Sequence, residues 1–402
     1  MSGRACFLVN KQNRLYVLSF IEFAVNLLVM HRFFYLSLYI KKESQLQFNL
    51  FDIKTPSLVG VDISSTAVKL VELGRVGDGK YRLEGYVIED LPKDAVVEGN
   101  LTKINEISDV FRQAWTRLGT RLQHVAMALP PASVISKKIV LPDNLPETEI
   151  EFQVQAEASE VVPFAMDEVN LDYQVLGPST ALDEHVDVLL VASRKEKIED
   201  RVAVAEAAGL KVLVIDTEAN ASQTAYEGML HLVPNGGRGK VVALVVIGAA
   251  MRVIVFVDNV QVYVRDLSFG GSNLTQEIQR HYALTFDVAE KLKRKADLPE
   301  NYEVEVLQPF LENLITQIDR ALQTFLTSTS YAKVDDILLA GGTSVLPGLV
   351  EAVSAKTGVN TQRANPFGGM AISGKIALKK LEMDAPALLV ACGLAMRSFD
   401  AP

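Results

Sequence analysis

From residue 58 onward, apolar and polar positions alternate in short runs that end in small or polar turns. Residues 58–73, LVGVDISSTAVKLVEL, read as a strand, a tight turn and a returning strand. Residues 243–256, ALVVIGAAMRVIVF, are built the same way far downstream. The first copy ends its leading strand in Asp62; the matching place in the second copy is Val246.

After the first hairpin the period-two pattern continues in YRLEGYVIEDL, then changes to helical spacing. Ile104, Ile107, Phe111, Ala114 and Leu118 fall on one face of a predicted helix starting near Lys103. The strand HVAMALP closes this unit before Pro130-Pro131. Residues 135–215 then read β-α-β-β-α-β. The elements are ISKKIVLP, a helix from Pro146 (Ile150, Val154, Ala158, Val161), NLDYQVLG, HVDVLLVAS, the helix KEKIEDRVAVAEAAGL and KVLVID. That order predicts a ferredoxin-like unit inserted within the first domain.

A connecting helix, TEANASQTAYEGMLHL, leads to the second hairpin. Next come the strand VQVYVRDLSF, Gly270-Gly271, helices near 272–284, 287–296 and 304–329, the strand DDILLAGG, a helix from Pro347 and a last helix at 385–396. Two halves that open with the same hairpin predict a duplicated α/β architecture with a cleft between them. The expected division is an extension, 1–47; a first subdomain, 48–134; the insertion, 135–215; a second half, 216–384; and a terminal helix, 385–402, packing back on the first half.

The extension breaks the pattern. Residues 16–40 are apolar and aromatic over a length that spans a bilayer, yet contain Glu22, His31 and Arg32. A translation start nearer FNLFDIKTPS is the favoured expectation, and a membrane anchor the alternative. The formal net charge of −9, without a basic cluster, argues against nonspecific nucleic-acid binding. With only Cys6 and Cys392 there is no disulfide framework or thiolate metal site, and a cytoplasmic location is expected.

The hairpin turns carry the candidate chemistry. Ser64-Ser65-Thr66 and Gly248-Ala249-Ala250 present small side chains and backbone N–H groups suited to phosphate oxygens. Asp62 is placed to hold Mg²⁺ through water and Lys69 to pair with a phosphate; an ordinary strand-end aspartate is the alternative. In LLAGGTSVLPGL, Gly341-Gly342 lets the backbone lie against a flat ligand and Thr343 opens toward a helix; a plain strand-to-helix turn stays open as the other reading. NGGRGK lacks the Walker A spacing and reads as a loop, and KLKRK (291–295) as a solvated helix face.

GGTSVLPG resembles the adenosine motif of the actin-like ATPase superfamily, and VDISSTAVK its first phosphate loop. DVAEKLKRKA is similar to the segment whose glutamate, here Glu290, contacts ribose; GGSNLTQEI, with Gly271, also fits. SLVGVDISSTAVKLVEL, VVPFAMDEVNLDYQVLG, NPFGGMAI and LLVACGLAMRSF resemble the type IV pilus assembly protein PilM family, over about residues 48–399.

The resemblance implies a duplicated actin-like (ribonuclease H-like) fold with a nucleotide cleft and an FtsA-type insertion. It further implies ATP and Mg²⁺ as ligands, and an ATP-binding adaptor at the cytoplasmic face of the inner membrane. The implied partner is the N-terminal tail of PilN, lying in a groove between the first subdomain and the insertion. Ile139, Leu141 and Phe152 are candidate linings of that groove, or else the insertion's own core. Second phosphate loops of this family generally read Val-Asp-Ile-Gly-Ala-Thr; Val246 and Ala250 replace the Asp and the Thr, so ATP binding with poor hydrolysis is expected. Asp216 and Glu218 are left as candidates to orient water, with helix capping as the alternative. An actin-fold ATPase or small-molecule kinase, and an FtsA-like filament protein, are the alternative functions.

Overall fold

The computed structural model describes residues 7–9, 15–16, 57–77, 80–179, 181–295 and 298–399. Apart from Tyr16, the apolar run 16–40 lies outside them, and with it the question of an anchor there. Among the described residues no helix is long and apolar enough to cross a membrane.

Two sheets carry the two halves. The first is ordered Ala371–Ile372, Lys80–Asp90, Ala67–Val76, Val59–Ile63, His124–Leu129, Lys211–Thr217, with Phe7–Val9 and Leu15–Tyr16 at its far edge. The second is ordered Val260–Leu267, Met251–Val257, Val241–Ile247, Asp336–Ala340, Asn360–Arg363. The repeat seen in the sequence is a repeat of topology. Each half opens with an antiparallel hairpin, and each leading strand then pairs in parallel with a later strand: Val59–Ile63 with His124–Leu129, and Val241–Ile247 with Asp336–Ala340.

Helix Ile104–Leu118 forms because Ile107, Phe111 and Ala114 recur at helical spacing, and all three are buried against Val59, Val61, Leu70 and Met127. It stops at Gly119, whose φ of 66° lets its N–H donate back to the Trp115 carbonyl. The second half buries Leu314, Ile318, Leu322 and Phe325 of helix Gln308–Ser328 against one face of its sheet. Its other face receives helix Glu218–Gly228, where Tyr226 stacks on Phe256 at 3.9 Å between ring centroids.

The insertion is smaller than the sequence pattern suggests. Its sheet has three antiparallel strands, Val169–Pro178, His185–Arg194 and Ile135–Pro142, packed on helix Glu147–Val161. The expected second helix and last strand belong to the first half. Lys195–Ala207 buries Ile198, Val204 and Ala205 in the first half's core, and Lys211–Thr217 pairs in parallel with His124–Leu129. Local periodicity reports that a strand exists, not which sheet receives it. Here Val212 and Ile215 find a larger apolar surface beside Val125 and Met127.

The chain ends by returning to the first half. Helix Leu389–Met396 packs on strand Val59–Ile63 and on helix Glu218–Gly228. Ser398 closes it, accepting from the Leu58 N–H at 3.1 Å and donating to the Leu58 carbonyl at 3.2 Å. The strand that carries Asp62 and the helix that begins at Glu218 are thereby held by one C-terminal element.

Candidate functional site

The two hairpins face one cleft and differ in their charges. In the first, the register places Asp62 opposite Lys69, and Lys69 Nζ lies 2.9 Å from Asp62 Oδ2. In the second, the same row holds Val246 opposite Arg252. Within each turn the first N–H is already used: Ser64 donates to the Ala67 carbonyl at 3.0 Å, and Gly248 to that of Ala250 at 3.0 Å. The Gly248 N–H is therefore turned into its own loop, contrary to the sequence expectation. Ser65, Thr66 and Ala249 form the tips.

The remaining sequence-predicted positions gather behind the second tip. The N–H groups of Gly271 and Ser272 donate to the carbonyls of Gly248 (2.8 Å) and Ala249 (3.1 Å), fastening helix Gly271–Tyr282 to the hairpin. The Thr343 hydroxyl donates to the Gly248 carbonyl at 3.3 Å. Gly341 has φ of 85°, and a Cβ there would stand 2.4 Å from the Ile247 carbonyl oxygen. A Cβ on Gly271 would stand 2.5 Å from Thr343 Oγ1. Gly342 follows Gly341 in the same turn. Glycine is required at 341 by its φ and the Ile247 backbone, and at 271 by the Thr343 hydroxyl and the Gly248 carbonyl oxygen; Gly342 alone of the turn 341–344 is exposed, at the end of strand Asp336–Ala340.

Glu290 stands in a dense polar cluster. It accepts from Thr275 Oγ1 at 2.5 Å, from Lys293 Nζ at 2.6 Å and from Arg294 Nε at 3.1 Å. Burial raises the Glu290 carboxyl, but Lys293, Thr275 and Arg294 outweigh it and leave the group below its ordinary value. Burial pulls the Lys293 ammonium below its ordinary value. Lys293 also donates to the Gly271 carbonyl at 3.1 Å. Arg294 reaches across the cleft to Asp90 and, at 3.4 Å, to the Thr66 carbonyl. The KLKRK run is thus no uniformly solvated face. The spacing of Glu290, Lys293 and Arg294 already places them on one side of a helix, a signal the charge run conceals.

Asp216 and Glu218, neighbours in sequence, point to different places. Asp216 is buried: Oδ1 accepts from the Thr217 N–H at 2.7 Å and from Asn220 Nδ2 at 3.1 Å, and Oδ2 pairs with Arg397 Nε at 3.4 Å. The helix cap is Thr217, whose hydroxyl accepts from the Asn220 N–H at 3.0 Å. Glu218 looks into the cleft, with Oε2 3.6 Å from Arg252 Nη1. Burial and the nearby Asp62 charge push its carboxyl up to about 7, against the pull of Arg252, Arg201 and Lys69. Arg252 is held from its other side by Asp266, at 2.6 Å.

A second concavity, about 170 Å³, lies where the insertion meets the first half. Ser133, Ile135, Phe164, Ser193, Arg194 and Lys197 are among its lining residues. Phe164 is 41% exposed and lies under the Arg194 guanidinium, 5.2 Å from the ring centroid. Of the expected groove linings, Ile139 and Leu141 are buried in the insertion's core, and Phe152 stands 65% exposed on its helix. None of the three lines this crevice.

The family model described as type IV pilus assembly protein PilM matches residues 60–399. A solved structure titled PilM-PilN type IV pilus biogenesis complex is similar at 26% identity and a TM-score of 0.73, over 86% of this chain and 100% of that one. Ethanolamine utilization protein EutJ from Carboxydothermus hydrogenoformans aligns at 17% identity and a TM-score of 0.48, over 85% and 89%. MreB 5 of Spiroplasma citri bound to AMPPNP aligns at 12% and 0.44, over 86% and 96%.

Proposed function

The chain belongs to the type IV pilus assembly protein PilM family, and on that premise we propose that it is a nucleotide-binding adaptor which takes the N-terminal tail of PilN as an extended peptide. The crevice between the first half and the insertion carries the reading. It joins an apolar floor, Ile135 and Phe164, to a rim of Arg194 and Lys197, both paired with Glu196, which suits a short extended chain with apolar positions facing the floor. The similar solved structure contains PilN, which supports this choice of peptide. A synthetic peptide of the PilN tail, titrated by fluorescence anisotropy, tests it. Phe164→Ala is expected to weaken binding about tenfold, whereas Phe152→Ala on the outer helix changes little. Equal affinity of both variants would place the peptide elsewhere.

The cleft is the proposed ATP site. Gly341, Gly342 and Thr343 would take the adenosine and Glu290 with Lys293 the ribose. Ser65, Thr66 and Ala249 would take the phosphates, with Lys69 beside them in its pair with Asp62, and Ser64, Gly248 and Gly271 shaping the two loops. A resident Mg²⁺ fits the side chains poorly. The Asp62 carboxylate already holds Lys69, that of Glu218 holds Arg252, and position 246 is valine. Among the described residues no group of three or more His, Cys, Asp or Glu is placed to hold a metal. Phosphoryl transfer depends on positioning and electrostatics, so with Val246 in place of the aspartate, turnover is slow or absent. Glu218, beside Arg252 and near Asp62 and Lys69, is the carboxylate that would face the phosphates and orient water; Asp216 is turned away toward Arg397.

The raised Glu218 carboxyl gives a pH test. The folded chain holds this proton more tightly than the unfolded chain, so the group's contribution to stability falls as pH rises from its ordinary 4.5 to about 7. Glu218→Gln removes that fall. Urea midpoints taken near pH 5 and near pH 8 should therefore drop less in the variant than in the parent. An identical drop would mean that the carboxylate is well solvated.

A further inference from the structure

The second hairpin is more than a phosphate loop that has lost its carboxylate; a cation stands beside the gap. Its turn has three residues, 248–250, between paired Ile247 and Met251, which brings Arg252 opposite Val246. The first hairpin's longer turn, 64–67 between paired Ile63 and Val68, brings Lys69 opposite Asp62. The two cations thus occupy equivalent places in the two halves and face one cleft. Lys69 is neutralised by the aspartate across its own hairpin. Arg252, with an apolar residue across from it, is held by Asp266 on the next strand and by Glu218 from the connecting helix. Its side chain is 15% exposed, so the guanidinium is fixed and partly desolvated.

We infer that Arg252 gives this cleft a built-in cation which balances nucleotide phosphate charge, so that nucleoside triphosphate is held largely without a divalent metal. The inference rests on the proposed nucleotide site. A guanidinium offers several N–H groups in a fixed fork and stays charged at every working pH. It can keep its Asp266 bond while turning its remaining donors from Glu218, the longer of its two contacts, to a phosphate oxygen. The carboxylate that a metal's water shell would need at 246 is absent, and Glu218 serves as counter-ion to the arginine. Both facts push the site from metal-mediated to direct recognition of phosphate.

Calorimetric titration of the nucleotide-stripped chain with AMPPNP, once in Mg²⁺ and once in EDTA, tests this. The parent is expected to bind within about threefold equally in both buffers. Arg252→Gln should lose about tenfold or more in EDTA and less in Mg²⁺, and Arg252→Lys should recover part of the loss. Adding Val246→Asp to Arg252→Gln should make binding require Mg²⁺. Thermal melts of each variant separate a lost contact from a lost fold. Parent binding that collapses in EDTA overturns the inference and leaves the nucleotide site standing; so does EDTA affinity unchanged by Arg252→Gln. Absence of AMPPNP binding in both buffers overturns the nucleotide site, and the inference with it.

Discussion

Replacing Gly393 with alanine is expected to destabilise the fold by about 3 kcal/mol or more, which is large against the margin of a natural domain. A Cβ at 393 would stand 1.9 Å from the Ala221 carbonyl oxygen and 2.7 Å from its carbon, so a backbone has to move. The same helix meets Gly60 on its other side, where a Cβ would stand 2.0 Å from the Ala391 carbonyl oxygen and 2.4 Å from the Ala395 nitrogen. Ala391, Gly393 and Ala395 keep helix Leu389–Met396 thin enough to lie against both strand Val59–Ile63 and helix Glu218–Gly228. Those two elements carry Asp62 and Glu218, so the clash also shifts the cleft's carboxylates. Gly374→Ala is the control, since nothing lies within 4 Å of the added carbon; it should change stability by less than about 0.5 kcal/mol. Urea midpoints of the two variants, read with AMPPNP affinity at low denaturant, check the expectation. A Gly393→Ala protein as stable as Gly374→Ala would mean that the helix has room to slide.

Why the hairpins and the glycine turn were legible follows from their physics. Each leading hairpin strand buries most of its positions and each turn is made of small residues, so run length and turn chemistry agree. The glycine at 341 is imposed by its φ and by the Ile247 backbone, a local constraint that leaves a local mark. What sequence spacing misreads is pairing. Lys69 stands seven residues after Asp62, and counting seven from Val246 reaches Val253, whereas the shorter turn puts Arg252 there. The insertion's end is a matter of pairing too, because Lys211–Thr217 has the pattern of a strand in whichever sheet takes it. Lys293 and Arg294 are hidden by composition: a run of basic residues reads as solvent-facing until Thr275, the Gly271 carbonyl and Asp90 supply partners from elsewhere in the fold.

Asp216→Ala is the second large expected effect, with a cost of about 3–5 kcal/mol. The substitution leaves the Arg397 guanidinium, 5% exposed, without the carboxylate that lies 3.4 Å from its Nε, and removes acceptors of the Thr217 N–H and Asn220 amide. Arg397→Ala should cost a similar amount by taking the guanidinium from the buried carboxylate, and the double variant should cost less than the sum, because the two side chains are direct partners. Glu218 offers the contrast. Its side chain is 27% exposed at the cleft and its partner Arg252 keeps Asp266, so Glu218→Gln should fold normally, change stability only through the pH dependence described above, and otherwise act on nucleotide chemistry. Urea unfolding of the three Asp216 and Arg397 variants, beside single-turnover hydrolysis by Glu218→Gln, separates the two carboxylates. A stable Asp216→Ala protein with altered hydrolysis would move the working carboxylate from Glu218 to Asp216. It would also mean that the Arg397 pair opens toward the cleft.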